Sequence, residues 1–272
     1  MSARLTVTLL AAAEDESVFG GKAVSLGAAI RAGLPVPAGV ALAASLVDAI
    51  TAGDAQALSA LEASTHIPEG RLAVRSSAIG EDSADASFAG QHLTRLNVRR
   101  AGVAGAVRDV WESGRTPAAL AYRARKGLPR EPRIAVVVQL LIEPIAAGVL
   151  FTRNPVTGAD ERMIEAAWGL GEAVVNGAVV PDRYRLDPSG RVLDVNPGDK
   201  DLKIWYGNGD GTVEIPVADE LRTVPCLERP HLEALHRLAE QCRGVWGPHL
   251  DIEWAIAPDG TPRLLQCRPI TT

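Results

Sequence analysis

The sequence predicts an α+β protein built as two lobes. Segments with the 3.6-residue hydrophobic period of helices are interspersed along the chain with short β-branched runs that are typical of strands. A chain of 272 residues, 47% of them hydrophobic, is long enough to bury one large or two small cores. We expect an N-terminal lobe over residues 1–138 and a C-terminal lobe over residues 139–272.

Charge, apolar content and cysteine spacing argue against several classes of protein. A net charge of −5 leaves no basic excess to follow a nucleic-acid backbone, so nucleic acid is not an expected partner. Polar residues and a proline interrupt the apolar stretch over residues 134–151, so we expect no membrane span. The three cysteines are odd in number and lack metal-ligand spacing, which favours neither a disulfide framework nor a zinc site. A soluble, cytoplasmic chain is expected.

In the N-terminal lobe, Phe19-Gly-Gly-Lys22 opens the first helical pattern. Ala23, Leu26 and Ala29 fall on one stripe of this helix, and Gly33 ends it. Gly-Gly-Lys before a helix can bind phosphate through backbone N–H groups and the helix dipole. The alternative interpretation is a glycine turn that carries a surface lysine.

The rest of this lobe is predicted from local patterns. Residues 34–39 form an extended connector, because residues before proline avoid the helical region, and two short alanine-rich helices follow up to Ala63. Residues 72–78 predict a strand that carries Arg75. The small and acidic residues 80–90 predict a loop that either closes over a ligand or is an ordinary exposed connection. The remaining expected elements are a strand over residues 92–97 and helices near 101–113 and 117–127.

From residue 134 onward, the chain is expected to consist mainly of strands. Residues 134–142 predict a strand buried on both faces, because β-branched residues run through most of it. Further strands are expected over residues 148–152 and 163–168, with a turn at 154–158, and strands and turns alternate over 179–217. An amphipathic helix is expected over residues 230–246, with its apolar stripe formed by Leu232, Leu235, Leu238, Ala239 and Cys242.

The C-terminal residues 251–269 are interpreted as two strands joined by a turn at Pro258-Asp259-Gly260. Because side chains on a strand alternate between faces, Asp251 and Glu253 share one face of the first strand. On the second strand, we expect Leu264, Gln266 and Arg268 on one face, and Leu265 and Cys267 on the other.

If the two strands pair in register, two carboxylates, an amide and a guanidinium meet on one surface. A metal-bound polyphosphate requires such a set, with hard oxygen ligands for Mg²⁺ and a cation for phosphate oxygens. The alternative interpretation is a polar, solvated sheet face behind an Ile/Trp core, since half-exposed antiparallel strands alternate in the same way.

Seven blocks occur in one order across nearly the whole chain: Gly20-Gly-Lys-Ala-Val-Ser-Leu-Gly27, Gly33-Leu-Pro-Val-Pro-Ala-Gly39, Ala73-Val-Arg-Ser-Ser-Ala78, Glu81-Asp-Ser-Ala-Asp-Ala-Ser-Phe-Ala-Gly-Gln91, Phe151-Thr-Arg-Asn-Pro-Val-Thr-Gly158, Glu165-Ala-Ala-Trp-Gly-Leu-Gly-Glu-Ala173 and Asp251-Ile-Glu-Trp…Gln266-Cys-Arg-Pro269. Together they resemble the ATP-binding domain shared by phosphoenolpyruvate synthase, pyruvate phosphate dikinase and rifampin phosphotransferase. The resemblance implies an ATP-grasp fold, in which two α+β lobes hold ATP between them.

The resemblance also implies roles for individual residues of both lobes. In the N-terminal lobe, Lys22 and Arg75 would hold phosphates as fixed cations. Gly90 and Thr94 would line a nucleotide-phosphate loop within residues 80–94. Gln139 would lie at the hinge between the lobes and read the adenine edge.

In the hairpin, Glu253 and Gln266 would coordinate Mg²⁺ and Asp251 would support or join them. Arg268 would contact phosphate and, with Lys22 and Arg75, complete the catalytic cations. The expected cofactors are therefore ATP and Mg²⁺.

In the resembled family, ATP is cleaved to AMP, and the β-phosphoryl group moves to a histidine on a separate swivelling domain. The γ-phosphate leaves or passes to inorganic phosphate. That acceptor histidine lies in a Gly-Gly-x-x-Ser-His or Thr-Ser-His context, which none of the five histidines has: His66, His92, His231, His236 and His249. A separate protein or domain that carries the acceptor histidine is therefore the expected partner.

Several explanations of this chain stay open at the level of sequence. The first is one subunit of a split phosphotransferase, and the second is a standalone ATP-grasp kinase or ligase acting on a small molecule. The third is a domain excised from a longer protein, and the fourth is a non-catalytic ATP-sensing module. Gly-Gly-Lys about twenty residues from Met1 favours an intact N-terminus. The chain departs from the family at four places: a shorter stretch between Gly39 and Arg71, Gln91-His92, Arg153 and Cys267.

Overall fold

A computed structural model describes residues 7–80, 93–125, 127–129 and 131–270 of the chain. The chain divides into two compact units, each assembled from more than one segment. Unit 1 comprises residues 1–30, 38–141 and 207–211, and unit 2 comprises residues 31–37, 142–206 and 212–272. The lobes predicted from sequence are continuous and meet between residues 138 and 139, whereas the units exchange short segments.

Unit 1 contains a five-stranded antiparallel sheet with helices. Its elements in chain order are β1 (Val7–Leu9), α1 (Glu16–Arg31, the last residue counted with unit 2), β2 (Gly39–Leu42), α2 (Ala44–Thr51), α3 (Ala55–Ala63), β3 (Leu72–Ala78), β4 (Thr94–Val98), α4 (Val103–Ser113), α5 (Pro117–Arg125) and β5 (Ile134–Leu140). The strand order across the sheet is β1-β2-β5-β3-β4. Strand β5 is therefore central and buried on both faces over most of its length, as the β-branched residues of this segment predicted.

One face of this sheet forms the core of unit 1. Alternate residues of β2, β3 and β5 are fully buried, among them Val40, Val74 and Val138, and they pack with apolar residues of α2, α3 and α4. Burying each such side chain stabilises the fold by about 1.5–3 kcal/mol. The opposite face of the sheet carries the intervening residues of β3 and β5, which include Arg75 and Gln139.

Two strands of unit 1 were not predicted from sequence. Strand β2 falls where the connector and the first alanine-rich helix were expected, and β1 has only three residues. The four residues Gly39-Val-Ala-Leu42 are all buried and show no alternation, so periodicity cannot separate such a strand from a helix. Antiparallel pairing with β5 decides the conformation.

Helix α1 is interrupted at Gly20, where the sequence predicts a glycine turn before Lys22. Gly20 has φ +74° and ψ 164°, outside the helical region. A Cβ on Gly20 would lie 2.0 Å from the backbone oxygen of Ser77, and the Ser77 hydroxyl accepts a hydrogen bond from the Ala23 N–H at 3.0 Å. Only glycine allows this close approach of α1 to the end of β3.

Unit 2 is built on a six-stranded antiparallel sheet in the order β13-β12-β6-β7-β8-β9, with a separate two-stranded ladder of β10 and β11. Its elements are β6 (Ala146–Phe151), β7 (Arg162–Trp168), α6 (Glu172–Val175), β8 (Asp182–Leu186), β9 (Val192–Asn196), β10 (Leu202–Tyr206), β11 (Thr212–Pro216), α7 (Asp219–Arg222), α8 (Arg229–Trp246), β12 (Leu250–Ile256) and β13 (Pro262–Pro269). Helix α8 packs on β12 and β13, and its five buried residues are the predicted apolar stripe.

The α+β class predicted from the sequence is confirmed, since helices and antiparallel sheets occur in both units. Among the helices that the structure describes, none is long and apolar enough to cross a membrane.

The packing of Gly20 predicts a large cost for a single methyl group. We expect Gly20→Ala to lower the free energy of unfolding by about 2–4 kcal/mol, because it combines an unfavourable positive φ with overpacking against Ser77. Gly33→Ala is the matched control: Gly33 also has a positive φ of +78°, but nothing lies within 4 Å of the position that its added methyl group would take. It should cost only about 1 kcal/mol. Equilibrium urea unfolding measures both, and equal costs would contradict the close approach.

Candidate functional site

The C-terminal hairpin of unit 2 brings the predicted polar residues together. Strands β12 and β13 pair antiparallel, with Asp251 opposite Arg268 and Glu253 opposite Gln266. Directly opposed residues project to the same face of a sheet. Two carboxylates, an amide and a guanidinium therefore share one face of the hairpin, as the sequence predicted.

A β-bulge corrects the predicted alternation on the second strand. Glu253 pairs with Gln266, but the next residue, Trp254, pairs with Leu264, so Leu265 is the additional residue of β13. The prediction that Leu264 shares a face with Gln266 is therefore wrong. The extra residue shifts the period of alternation by one, and Leu264 lies fully buried on the core side opposite Trp254.

The other face of the hairpin is apolar and buried. Ile252 and Trp254 are 0% exposed, and Cys267, opposite Ile252, is 5% exposed. Cys267 thus points away from the polar face, as predicted. Because a one-residue slip would bring these side chains to the polar face, their burial fixes the register of the four polar residues.

Asp251 and Arg268 form an ion pair on the polar face. The Arg268 Nε and Nη2 atoms both donate to Asp251 Oδ2, at 2.9 and 2.8 Å. The other carboxylate oxygen, Oδ1, is buried and has no hydrogen-bond partner among the described residues. Burial raises the pKa of Asp251 above its ordinary value, although Arg268 acts in the opposite direction.

This donor set fits a hard, oxygen-seeking cation. Within the described ranges, no group of three or more histidine, cysteine, aspartate or glutamate side chains could hold a metal by itself. The hairpin offers two carboxylates and one amide, of which Asp251 Oδ1 is a buried acceptor that lacks a donor. Mg²⁺ binds through one or two carboxylates and takes its other ligands from water and substrate phosphates.

The polar face continues onto neighbouring strands that sequence reasoning did not connect. Glu253 is opposite Val149 of β6, Val149 is opposite Glu165 of β7, and Glu165 is opposite Arg183 of β8. The Arg183 Nε atom donates to Glu165 at 2.9 Å. Glu165 lies in one of the matched sequence blocks, but only the strand order shows that it shares a face with Glu253.

In unit 1, three of the predicted residues share the sheet face opposite the core. Arg75 of β3 is directly opposite Thr94 of β4 and Val137 of β5. Gln139 follows Val137 on the same face and is 2% exposed. Gly90 and most of the expected phosphate loop lie outside the described residues.

Lys22 lies in the same unit, next to the end of β3. It follows the Gly20-Gly21 turn, and the adjacent Ala23 N–H donates to the Ser77 hydroxyl. Ser77 is two residues beyond Arg75 on β3. Arg75 and Thr94 are thus directly opposite each other on β3 and β4, and Lys22 lies in the segment of α1 that contacts the end of β3. Their grouping around phosphate stays a prediction.

Asp182, a fully buried carboxylate of unit 2, has a hydrogen-bond donor for each of its two oxygen atoms. Its Oδ1 atom accepts from the Lys200 Nζ atom at 2.5 Å and from the Gly198 N–H at 2.8 Å, and its Oδ2 atom accepts from the Cys226 N–H at 2.7 Å. Asp182 and Lys200 are both 0% exposed. Both oxygens have donors, so Asp182 serves the fold, whereas Asp251 keeps one oxygen without a donor.

A family model described as the pyruvate phosphate dikinase AMP/ATP-binding domain matches residues 42–272. The probable phosphoenolpyruvate synthase of Methanothermobacter thermautotrophicus is 42% identical over 204 residues, which cover 74% of this chain and 30% of that protein. The rifampicin phosphotransferase of Streptomyces sviceus is 38% identical over 205 residues, which cover 74% of this chain and 23% of that protein. Among solved structures, the VanG D-Ala:D-Ser ligase of Enterococcus faecalis has a TM-score of 0.45 and 10% identity, covering 92% of this chain and 52% of that one.

The chain therefore belongs to the pyruvate phosphate dikinase AMP/ATP-binding domain family, and the resemblance found in the sequence blocks is confirmed. Membership of this family supports the ATP-grasp fold class that the resemblance implied. The chain spans less than a third of the length of the two curated relatives.

Asp251 and Asp182 are expected to respond in opposite ways to the same substitution. Burial raises the pKa of Asp251. Ionisation of this carboxyl group therefore costs more free energy in the folded chain than in the unfolded chain, and its charge at neutral pH lowers the free energy of unfolding. We expect Asp251→Asn to leave the free energy of unfolding at pH 7 unchanged or higher. Asp182→Asn removes the partner of the buried Lys200 and should cost about 3–5 kcal/mol.

Denaturant unfolding of both variants at several pH values measures these effects. Any gain from Asp251→Asn should shrink as the pH falls, since protonation of the parent carboxyl removes the buried charge that opposes folding. A loss for Asp251→Asn as large as that for Asp182→Asn would contradict the contrast between the two sites.

Proposed function

We propose that this chain is the ATP-binding part of a phosphoenolpyruvate synthase-like phosphotransferase. It cleaves Mg-ATP to AMP and phosphate and passes the β-phosphoryl group to a histidine on a separate domain or protein. The observation that carries the proposal is the hairpin register, which joins Glu253 with Gln266 and Asp251 with Arg268 on one face. Family membership supplies the nucleotide class.

Asp251, Glu253 and Gln266 would hold the Mg²⁺ ion. Their oxygen atoms are of the chemical type that Mg²⁺ takes, and the buried Oδ1 of Asp251 lacks a donor among the described residues. The bound ion would neutralise the charge that develops on the phosphate oxygens. Asp251 also orients Arg268 through its Oδ2 atom, at 2.8 and 2.9 Å.

The cations would position the polyphosphate. Arg268, Lys22 and Arg75 would bind phosphate oxygens, Gly90 and Thr94 would belong to the phosphate loop, and Gln139 would read the adenine edge. Phosphoryl transfer depends on positioning and on electrostatic stabilisation of the transferred group, so this part of the enzyme needs no protein base.

The acceptor histidine is assigned to a partner. In α8, His231 serves the fold, because its Nδ1 atom accepts from the Glu228 N–H at 3.1 Å and closes a capping box. His236 is packed against Gly190, where an added Cβ would lie 2.6 Å from the imidazole. The curated relatives are more than three times as long as the segment matched here, which leaves room in such proteins for a phosphoryl carrier.

Positional labelling of ATP tests the proposal. The chain is incubated with Mg-ATP radiolabelled at the β or at the γ phosphorus, alone and with an extract of the source cells. We expect no ADP from the chain alone. With the extract, AMP should form, and β label but not γ label should enter a protein in an acid-labile, base-stable linkage typical of phosphohistidine.

Two outcomes would contradict the dikinase-type reaction. Steady formation of ADP and inorganic phosphate by the chain alone, with water taking the γ-phosphoryl group, would instead favour a kinase or ligase whose own acceptor is missing from the assay. Transfer of γ label to protein, with ADP as the other product, would indicate an ordinary protein kinase. Heat-treated chain in the same extract is the control for activities of the extract itself.

A further inference from the structure

Arg153 lies in the loop that follows β6, and its guanidinium contacts a backbone oxygen and an imidazole. Its Nε atom donates to the backbone oxygen of Gly158 at 2.7 Å. Its Nη1 atom lies 3.4 Å from the Nε2 atom of His249. Because a guanidinium can only donate, the imidazole nitrogen is the acceptor in any hydrogen bond across this contact.

His249 extends the polar face of the hairpin by one position. The Ile270 N–H donates to the His249 backbone oxygen at 2.9 Å, which continues the ladder beyond the pair of Leu250 and Pro269. Strand alternation then puts the His249 side chain on the face of Asp251, about 7 Å further along the strand. The Arg153–His249 pair is therefore the next polar row beyond the Asp251–Arg268 pair.

The charge of Arg153 is not neutralised by the described part of the protein. No described carboxylate lies within ion-pair distance of it, whereas most other described arginines of unit 2 pair with an aspartate or glutamate. Both Arg153 and His249 are exposed. An exposed cation that is oriented by the fold and lacks a carboxylate partner is suited to an anionic ligand.

The loop that orients Arg153 is itself internally braced. The Asn154 Oδ1 atom accepts from the N–H groups of Val156 and Thr157 at 2.9 and 3.0 Å, and its Nδ2 atom donates to the buried Glu161 at 2.6 Å. Gly158 has φ +71°, and a Cβ there would lie 3.4 Å from Arg153 Nη2. The position of the guanidinium is therefore set before any ligand binds, which reduces the ordering cost of binding.

We propose that Arg153 and His249 form an anion subsite that binds a phosphate group beyond the hairpin. The phosphate is either the terminal phosphoryl group of the polyphosphate bound at the hairpin or free inorganic phosphate. The first source rests on the proposed function, and the second does not. Arg153 is oriented to donate to phosphate oxygens, because the Gly158 backbone oxygen and the His249 imidazole hold its guanidinium in place.

Calorimetric titration of four ligands tests the subsite: Mg-ATP, Mg-ADP, AMP and inorganic phosphate alone. The variant is Arg153→Gln, and the matched control is Arg263→Gln, an arginine on the same hairpin that pairs with Asp259 in the turn at 3.4 Å. We expect Arg153→Gln to weaken Mg-ATP or inorganic phosphate at least tenfold and to leave AMP unchanged. Arg263→Gln should change none of the four by more than twofold.

The ligands separate the two sources of phosphate. Loss of Mg-ATP affinity with unchanged Mg-ADP affinity identifies the terminal phosphoryl group, and loss of phosphate binding identifies inorganic phosphate. If the parent binds no nucleotide, the proposed function fails, and the phosphate titration alone decides the subsite. Equal affinities of parent and Arg153→Gln for both Mg-ATP and phosphate would overturn it, as would an equal loss in Arg263→Gln.

A second variant excludes a general disturbance of the loop. Arg153→Lys keeps the charge but loses the planar fork, so it should recover part of the lost affinity. Thermal unfolding of all variants should agree with the parent, because Arg153 is exposed. A full loss in Arg153→Lys together with a lower melting temperature would assign Arg153 to loop structure instead.

Discussion

The polar face of unit 2 depends on the register of one strand pair. Ile252 and Trp254 of β12 are completely buried, so the pairing with β13 cannot slip by a residue without bringing them to the polar side. The bulge at Leu265 is part of the same constraint, because it lets Leu264 pack on the core while Gln266 remains opposite Glu253. Apolar burial thus determines where oxygen ligands and a guanidinium meet.

Two carboxylates of unit 2, Asp182 and Asp251, differ in the number of their oxygen atoms that have a hydrogen-bond donor. Both oxygen atoms of Asp182 accept hydrogen bonds, one of them from the buried Lys200 and the other from the Cys226 N–H. Asp182 therefore connects β8 to the segments that contain Lys200 and Cys226. Asp251 gives one oxygen to Arg268 and keeps the other buried without a described donor. A site that holds such an oxygen carries a desolvation cost that a bound cation would offset.

Much of the fold was predictable because its signals are local. The stripe of α8, the strand over residues 134–140 and the glycine turn before Lys22 follow from periodicity and backbone chemistry. The shared face of Asp251, Glu253, Gln266 and Arg268 was predicted on the condition that the two strands pair in register. The bulge at Leu265, which brings Asp251 opposite Arg268, was not predicted. Strand β2 and the common face of Glu253 and Glu165 were not predicted either, because tertiary pairing decides them. Arg153 stood out in the sequence, but its link to His249 needed the loop geometry.

The central claim is that the hairpin binds a divalent cation together with nucleotide, and uptake of Mn²⁺ in place of Mg²⁺ tests it most directly. Electron paramagnetic resonance follows free Mn²⁺ during titration of the chain with and without ATP. We expect about one ATP-dependent Mn²⁺ per chain in the parent and in Glu214→Gln, an exposed carboxylate on β11. Glu253→Ala and Gln266→Ala should each weaken this uptake at least tenfold. Equal ATP-dependent uptake by all four chains would contradict the metal site.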